Sequence, residues 1–510
     1  AERANKAKGD FLAFMTHELR TPLTGVLGMT ELLKTTSLDG EQREYVQGIA
    51  NSATVLGALI GDILDFSKID AERLKLEQAP FDLRAVVRDV GTALESLAVA
   101  GGVELICDLA PEVPATVIGD QLRVRQIIFN LLGNAVKFTQ EGQVEVRVGV
   151  RPAEAGVDSP HLFLEIEDTG IGIPADKLPH IFESFSQADI STTRRFGGSG
   201  LGTTIARQLA LLMRGTIGVE SVEGEGSRFW VRLPLIGDLL PAVPPPAGRL
   251  SGRRALVVEV NPAQRGVICA ALTREGMACD AVVVPGEVAT LGLRAADLDL
   301  IVLADHLRRL DLAAVRTEVN AALGGGPPCL FLTCAARRPE GQGAGVGYLG
   351  KPFLAEDLTA AGERLLGLAP EVEAAVPAAA GLTAGATGAI RVLVAEDNEI
   401  GAKVLTTFLQ KMGYPHVRVA DGEEALREAL AGGYGIAVID LRMPKLDGVE
   451  FARRYRAQAQ GRPLPIVALT ANASEDVKQA CLEAGMNAFL SKPVSPELLR
   501  QTIETLGLRG

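Results

Sequence analysis

Aromatic and sulfur chemistry are scarce in this sequence of 510 residues, which holds one tryptophan, five tyrosines and five histidines. Its six cysteines, at positions 107, 269, 279, 329, 334 and 481, never form a Cys-x-x-Cys pair and stand beside no histidine cluster. That pattern suggests neither a zinc site nor a disulfide framework and fits a reducing cytoplasm. No run of eighteen uncharged apolar residues and no signal peptide is present, so this segment is expected neither to span a membrane nor to be exported. Clustered Lys and Arg are also lacking; with a net charge of -12 the chain carries no footprint for a phosphate backbone, and direct nucleic-acid binding is not expected. The chain opens with Ala1 in a charged helical stretch, which suggests an upstream sensor or membrane region.

What is present is ordinary globular material. Apolar residues make up 47% and charged residues 22%, enough for several cores, and the length suggests three or four domains. Two Pro/Ala/Gly-rich stretches, Pro241 to Gly248 and Ala369 to Gly388, lack apolar periodicity and read as spacers. The expected units are a helical hairpin (1–72), a mixed α/β domain (78–237), a Pro-rich linker (238–251), an α/β domain (252–368), a second linker (369–389) and a final α/β domain (390–510).

In the hairpin Leu12, Leu19, Val26 and Leu33 recur every seven residues, with Met15 and Met29 three places after two of them. Ile49, Leu56 and Ile63 repeat that spacing in a second helix, with a turn near Ser37 to Gly40. One hairpin cannot bury both faces, so pairing into a dimeric four-helix bundle is the natural solution. The last two domains echo each other: Ala255-Leu-Val-Val-Glu-Val-Asn261 and Val392-Leu-Val-Ala-Glu-Asp-Asn398 lie at an offset of 137, which Thr333 and Thr470 keep. Alternating short apolar strands and helices predict a parallel sheet with helices on both faces in each.

Four groups of residues carry chemistry. Counting heptads from Leu12 places His17 opposite the apolar seam, with Thr21 one turn on and Glu18 beside it; Pro22 should let the following segment bend. Residues 81–236 have no Gly-x-x-x-x-Gly-Lys-Ser/Thr loop. They hold instead Asn130, Asn134 and Lys137, then Asp168, Gly170 and Gly172, then Phe182 and Phe185, then Gly198, Gly200, Leu201 and Gly202. In the last domain Glu396, Asp397, Asp440, Thr470 and Lys492 fall where strands give way to loops, the place where doubly wound sheets bind ligands. The middle domain keeps Glu259, Thr333, Lys351 and Pro352, but has Val260 and Ala304 where the second acid and the acceptor aspartate belong. Asp305 is adjacent to Ala304, yet a one-residue step reverses the side-chain face, so it should not substitute.

The run Phe14-Met-Thr-His-Glu-Leu-Arg-Thr-Pro22 resembles the phosphoacceptor box of histidine kinases, and the four groups within 130–202 resemble, in order and spacing, the N, G1, F and G2 boxes of the histidine-kinase ATPase, an α+β Bergerat-type sandwich shared with gyrase-type ATPases. The last domain resembles a flavodoxin-like response-regulator receiver, and the middle one a degenerate copy, a pseudoreceiver. The resemblance implies a hybrid histidine kinase that uses ATP and Mg2+. His17 would be the nucleophile, with Glu18 taking its proton and Thr21 serving the reverse dephosphorylation. Asn134, with Asn130, would coordinate Mg2+, Lys137 would neutralise phosphate, Asp168 would read adenine, and the glycines would let backbone approach the nucleotide. Asp440 would accept phosphate, with Glu396 and Asp397 sharing its Mg2+ and Lys492 and Thr470 stabilising phosphoryl oxygens. Phe489 matches an aromatic that reports the Thr470 position, though simple packing explains it equally well.

The implied partners are a second copy of the chain and a histidine phosphotransfer protein. Arg337, Arg338 and Tyr348 offer paired donors and stacking for an anionic ligand such as cyclic di-GMP, against the plainer reading of solvated charges. Two rivals stand beside the kinase reading. One is a non-kinase ATPase of the same fold; the other is a phosphatase or scaffold in which His17 labels poorly.

Overall fold

The computed structural model describes residues 22–34 apart from 24 and 31, then 36, 38–70, 74, 76–151, 160–183, 200–234, 248–305, 312–334, 345–368, 390–459, 464–470, 475–492, 494 and 496–507. His17, Glu18, Thr21, Phe185, Gly198, Arg337 and Arg338, and the seam residues Leu12, Met15 and Leu19, lie outside that set. The chain divides into two compact units, one of residues 1–67 with 377–510 and the other of residues 68–376. No helix among the described residues is long and apolar enough to cross a membrane.

In the first unit, helical residues 25–30 and 32–34 precede α1 (Gly40–Asp70). Val46, Ala50, Ala53 and Ile60 of α1 are buried, and Leu23 reaches Gly57 closely enough that a Cβ there would lie 3.1 Å from its methyl. The seam residues Val26, Met29, Leu33, Ile49 and Leu56 are instead exposed, so their sevenfold spacing marks a face that the single chain leaves uncovered.

The second unit begins with β1 (Ala79–Phe81), α2 (Leu83–Ala100), β2 (Val103–Leu109), β3 (Val117–Gly119) and α3 (Gln121–Phe138). It continues with β4 (Gly142–Arg151), β5 (His161–Asp168), α4 (Gly202–Leu212), β6 (Thr216–Val222) and β7 (Gly226–Pro234). The sheet runs β2-β4-β5-β7-β6, with β2 and β4 parallel and the other pairs antiparallel; β1 and β3 form a separate ribbon. Strand alternation builds the core: Val144, Val146 and Val148, Leu162, Leu164 and Ile166, and Phe229, Val231 and Leu233 are all buried. Helices cover that face. Leu83, Val86, Val87, Val90 and Leu94 line one side of α2, and Asp82 and Asp120 cap α2 and α3 by accepting from Ala85 N–H and Arg123 N–H. On the opposite face Arg147 binds Glu165 (3.0 Å) and Glu167 (2.7 Å), and Arg228 binds Glu165.

The middle α/β domain follows in the same unit, as β8 (Arg254–Val258), α5 (Pro262–Arg274), β9 (Ala278–Val282), β10 (Leu300–Ala304), α6 (Leu312–Leu323), β11 (Cys329–Cys334), β12 (Val346–Lys351) and α7 (Ala355–Leu365). The last domain, in the first unit, comprises β13 (Val392–Ala395), α8 (Glu399–Lys411), β14 (His416–Val419), α9 (Gly422–Ala431) and β15 (Ile436–Asp440), and then α10 (Gly448–Gln458), β16 (Ile466–Thr470), α11 (Glu475–Glu483), β17 (Ala488–Ser491) and α12 (Pro496–Gly507). Both sheets are parallel and share one strand order, β9-β8-β10-β11-β12 and β14-β13-β15-β16-β17.

Their central strands read as unbroken apolar runs because both faces are covered. In the last domain Leu393, Ala395, Ala437, Ile439, Ile466 and Ala468 serve one core, while Val392, Val394, Ile436, Val438, Val467 and Leu469 serve the other. Phe451 is fully buried in the first of these and stacks on Tyr455 at 6.2 Å. Phe451→Ala should therefore cost about 3–5 kcal/mol of that domain's stability. Urea unfolding checks this, and a loss within about 1 kcal/mol would mean that neighbouring side chains refill the space.

Candidate functional site

Three clusters emerge from these elements. In the last domain, the C-terminal ends of β13, β15 and β16 bring Glu396, Asp440 and Thr470 to one edge of the sheet. Oxygens of Glu396, Asp397 and Asp440 lie within 4.8 Å of one another, an all-carboxylate set suited to a hard divalent cation. Lys492, just past β17, donates to Glu396 (2.6 Å) and Asp440 (2.7 Å), and its backbone N–H binds Thr470 O at 2.8 Å. Asp440 Oδ1 accepts from Arg442 N–H at 3.2 Å. Gly448 lies beneath, where a Cβ would sit 2.5 Å from the Asp440 carbonyl oxygen. Burial raises the Glu396 carboxyl against the pull of Lys492. Burial alone would depress the Lys492 ammonium, but Glu396 and Asp440 outweigh it and hold it above the ordinary lysine value. Phe489 is exposed.

The second cluster lies in residues 79–234. Asn130 and Asn134 rise from α3, and Gly202 opens α4 against them: a Cβ on Gly202 would lie 3.8 Å from Asn130 Cγ and from Asn134 Nδ2. Asn130 Nδ2 is buried with no hydrogen-bond partner among the described residues. Two asparagines facing a helix N-terminus have a chemistry suited to an anion and its counter-cation. Lys137 stands one turn beyond Asn134 in the last turn of α3, and burial lowers its pKa. Asp168, at the end of β5, is buried; its Oδ1 accepts from Gly170 N–H (2.9 Å) and Ser227 N–H (3.3 Å), while Oδ2 receives no hydrogen bond among the described residues. Burial raises the Asp168 pKa more than those two bonds lower it. Only glycine fits beside it, because a Cβ on Gly170 would lie 2.6 Å from Phe138 O and one on Gly172 2.0 Å from Val222 O. Leu201 is buried, Gly200 adopts positive φ, and Phe182 packs edge-on to Phe229 at 6.4 Å.

In the middle domain, Ala304 pairs with Leu332 as Asp440 pairs with Leu469, so strand register places alanine where the last domain has its aspartate. Val260 is exposed and Glu259 is fully buried. Tyr348 packs edge-on to Phe331 at 5.4 Å, part of that domain's core layer. Sequence reasoning missed two residues here. Glu104 and Gln143, from β2 and β4, meet Lys351 and Asn261 in a buried network. The available signal was a charge, Glu104, set inside the apolar run Val103 to Cys107.

Comparison with known proteins agrees with this layout. Residues 7–72 match the His Kinase A phospho-acceptor domain, residues 119–237 the histidine kinase-, DNA gyrase B- and HSP90-like ATPase, and residues 392–504 the response regulator receiver domain. These three in this order define a two-component histidine kinase with an attached receiver. Over 99% of its length the chain is 35% identical to the sensor histidine kinase GacS of Pseudomonas protegens and 32% identical to the sensor histidine kinase RcsC of Salmonella typhimurium, covering 55% and 50% of them. It thus spans about half the length of these curated relatives. The crystal structure of full-length ShkA in complex with AMPPNP superposes with a TM-score of 0.56 at 33% identity, covering 98% of this chain and 99% of that one. The chain belongs to the hybrid sensor histidine kinase family.

Lys492→Met should destabilise the last domain by about 3 kcal/mol, because Glu396 and Asp440 lose their shared cation. The sign follows from Glu396: a carboxyl raised in the folded state stabilises below its unfolded pKa, and that stability is lost as pH rises through the folded value. Without Lys492 the raise grows, so the variant's deficit should widen from acid to neutral pH in urea unfolding. A deficit independent of pH would refute this account of Glu396.

Proposed function

We propose that the chain catalyses the phosphoryl relay of its family: ATP bound in residues 78–237 phosphorylates His17, the phosphoryl group passes to Asp440, and a histidine phosphotransfer protein receives it. The observation that carries this reading is the complete acceptor site of the last domain, with Lys492 2.7 Å from Asp440 and three carboxylates within 4.8 Å. Bound ATP supplies the phosphoryl group, and Mg2+ screens its charge.

The residues present fit a nucleotide. Asp168 Oδ2 is placed to accept from the adenine amine, and Gly170 and Gly172 admit the base. Asn130, Asn134 and the start of α4, with Gly198, Gly200 and Leu201, take the phosphates and their Mg2+, and Lys137 offsets negative charge. At His17 the imidazole nitrogen forms the new bond to the γ-phosphorus as the bond to ADP breaks, and the imidazole proton passes to Glu18. At Asp440 a carboxylate oxygen takes the phosphoryl group from His17, with Lys492 and Thr470 holding the phosphoryl oxygens and Glu396 and Asp397 sharing Mg2+. Thr21 serves the reverse dephosphorylation.

Two packing features support the sequence of steps. The exposed seam of Val26, Leu33, Ile49 and Leu56 suits a second copy, which gives a dimeric four-helix bundle. Leu32 packs against the core of the last domain, and a Cβ on Gly28 would lie 2.7 Å from Val404 of α8, which favours transfer from the hairpin that follows His17 to a flavodoxin-like receiver.

Labelling with ATP radioactive at its γ-phosphate tests the relay. Acid-labile label should persist in Asp440→Ala and vanish in His17→Ala; label that survives His17→Ala sinks the donor step. Nucleotide affinity has its own pH dependence. The Asp168 carboxylate must be ionised to accept from adenine, and its pKa is raised by burial. Affinity measured calorimetrically should therefore be full at neutral pH and fall as pH drops through a value above the ordinary aspartate range, while Asp168→Asn loses roughly tenfold or more and that pH dependence.

A further inference from the structure

The middle domain has lost its acceptor aspartate and its second acid, yet it keeps Lys351, whose side chain is 5% exposed. A buried ammonium without an anion would be costly, and Glu259 alone is the only carboxylate its own domain brings to it among the described residues. The structure shows what completes it. Lys351 Nζ donates to Glu104 of β2 at 2.6 Å, to Glu259 at 3.0 Å and to the backbone oxygen of Asp305 at 2.9 Å, so all three protons are used.

The geometry parallels the last domain closely. There Lys492 bridges Glu396 and its own domain's Asp440; here Lys351 bridges Glu259 and a carboxylate from the ATP-binding domain. Glu104 is 4% exposed, and its second oxygen accepts from Asn261 Nδ2 at 2.8 Å. The same Nδ2 donates to Gln143 Oε1 at 2.8 Å, while Asn261 N–H binds Glu259 at 2.8 Å. Around this centre Arg88 pairs with Glu356 (2.6 Å) and Asp357 (3.1 Å), and Pro352 packs over Gly91, where a Cβ would lie 3.2 Å from its ring.

We propose that the vestigial phosphorylation pocket of the middle domain is a carboxylate socket, and that Glu104 of the ATP-binding domain is its resident ligand. The glutamate supplies from the neighbouring domain the charge that Ala304 no longer provides. The socket fastens residues 254–365 to the edge strand β2.

Gln143 carries the contact toward the nucleotide site. Its backbone oxygen accepts from Thr169 N–H at 3.2 Å, and Thr169 follows Asp168 directly. The docked socket is therefore two hydrogen bonds from the loop that reads the base.

Amide hydrogen exchange in the full chain tests the socket. Glu104→Gln leaves the Lys351–Glu259 pair intact, so the middle domain retains its own fold, and it removes the charge that seats the ATP-binding domain. If the proposal holds, exchange rises about tenfold both in 103–109 and in 346–357, because opening of the seam becomes easier. Arg88→Ala, at the rim, reads the same two segments without touching a buried charge and should raise both by a smaller factor. A rise confined to 103–109, or no rise in either segment for both variants, would overturn the proposal.

Discussion

A lysine ammonium drawn in at the C-terminal edge of a parallel sheet must meet carboxylates, and the molecule meets that requirement twice, at the buried Lys351 and the half-buried Lys492. The strand ends deliver the acids, and the end of the fifth strand, Lys351 within it and Lys492 just past it, delivers the lysine. In the last domain the acids exceed the lysine's charge, leaving three carboxylates within 4.8 Å of one another. In the middle domain Val260 and Ala304 stand where two of those acids are, and the lysine holds a glutamate of the ATP-binding domain. Where strand register gives the last domain Asp440, the middle domain has Ala304, and there the lysine reaches a carboxylate of another domain instead.

Much of this was legible in the sequence, for specific reasons. Strands buried on both faces appear as short unbroken apolar runs, and the echo between Ala255 to Asn261 and Val392 to Asn398 fixed the shared topology. The glycines beside Asp168 could be read because no other residue fits where a backbone oxygen lies 2.0 to 2.6 Å from a would-be Cβ. That Ala304 takes the position of Asp440 could be read because strand register transmits the offset between the two domains.

The rest depended on contacts between segments far apart in the chain. Glu104 and Lys351 are separated by 247 residues, and nothing in either local pattern names the other. A charge inside an apolar strand says only that it must be compensated somewhere. The hairpin shows the complementary case. Its sevenfold spacing was plain, but only the structure separates Val46, Ala50, Ala53 and Ile60, which the single chain buries, from Val26, Leu33, Ile49 and Leu56, which it does not.

Asn261 shows how one side chain can answer to two domains. Its oxygen caps α5, accepting from Ala263 N–H and Gln264 N–H, and its nitrogen serves Glu104 and Gln143. For the cap, serine, threonine, aspartate and asparagine are nearly equivalent. For the nitrogen's task they are not: aspartate would present a second carboxylate to Glu104, and serine has one short hydroxyl where two donors are needed. Drift at this position is thus free as far as the helix is concerned and restricted by a surface on another domain. Divergence among copies of this architecture should be read at Asn261 together with Glu104, as one character and not two.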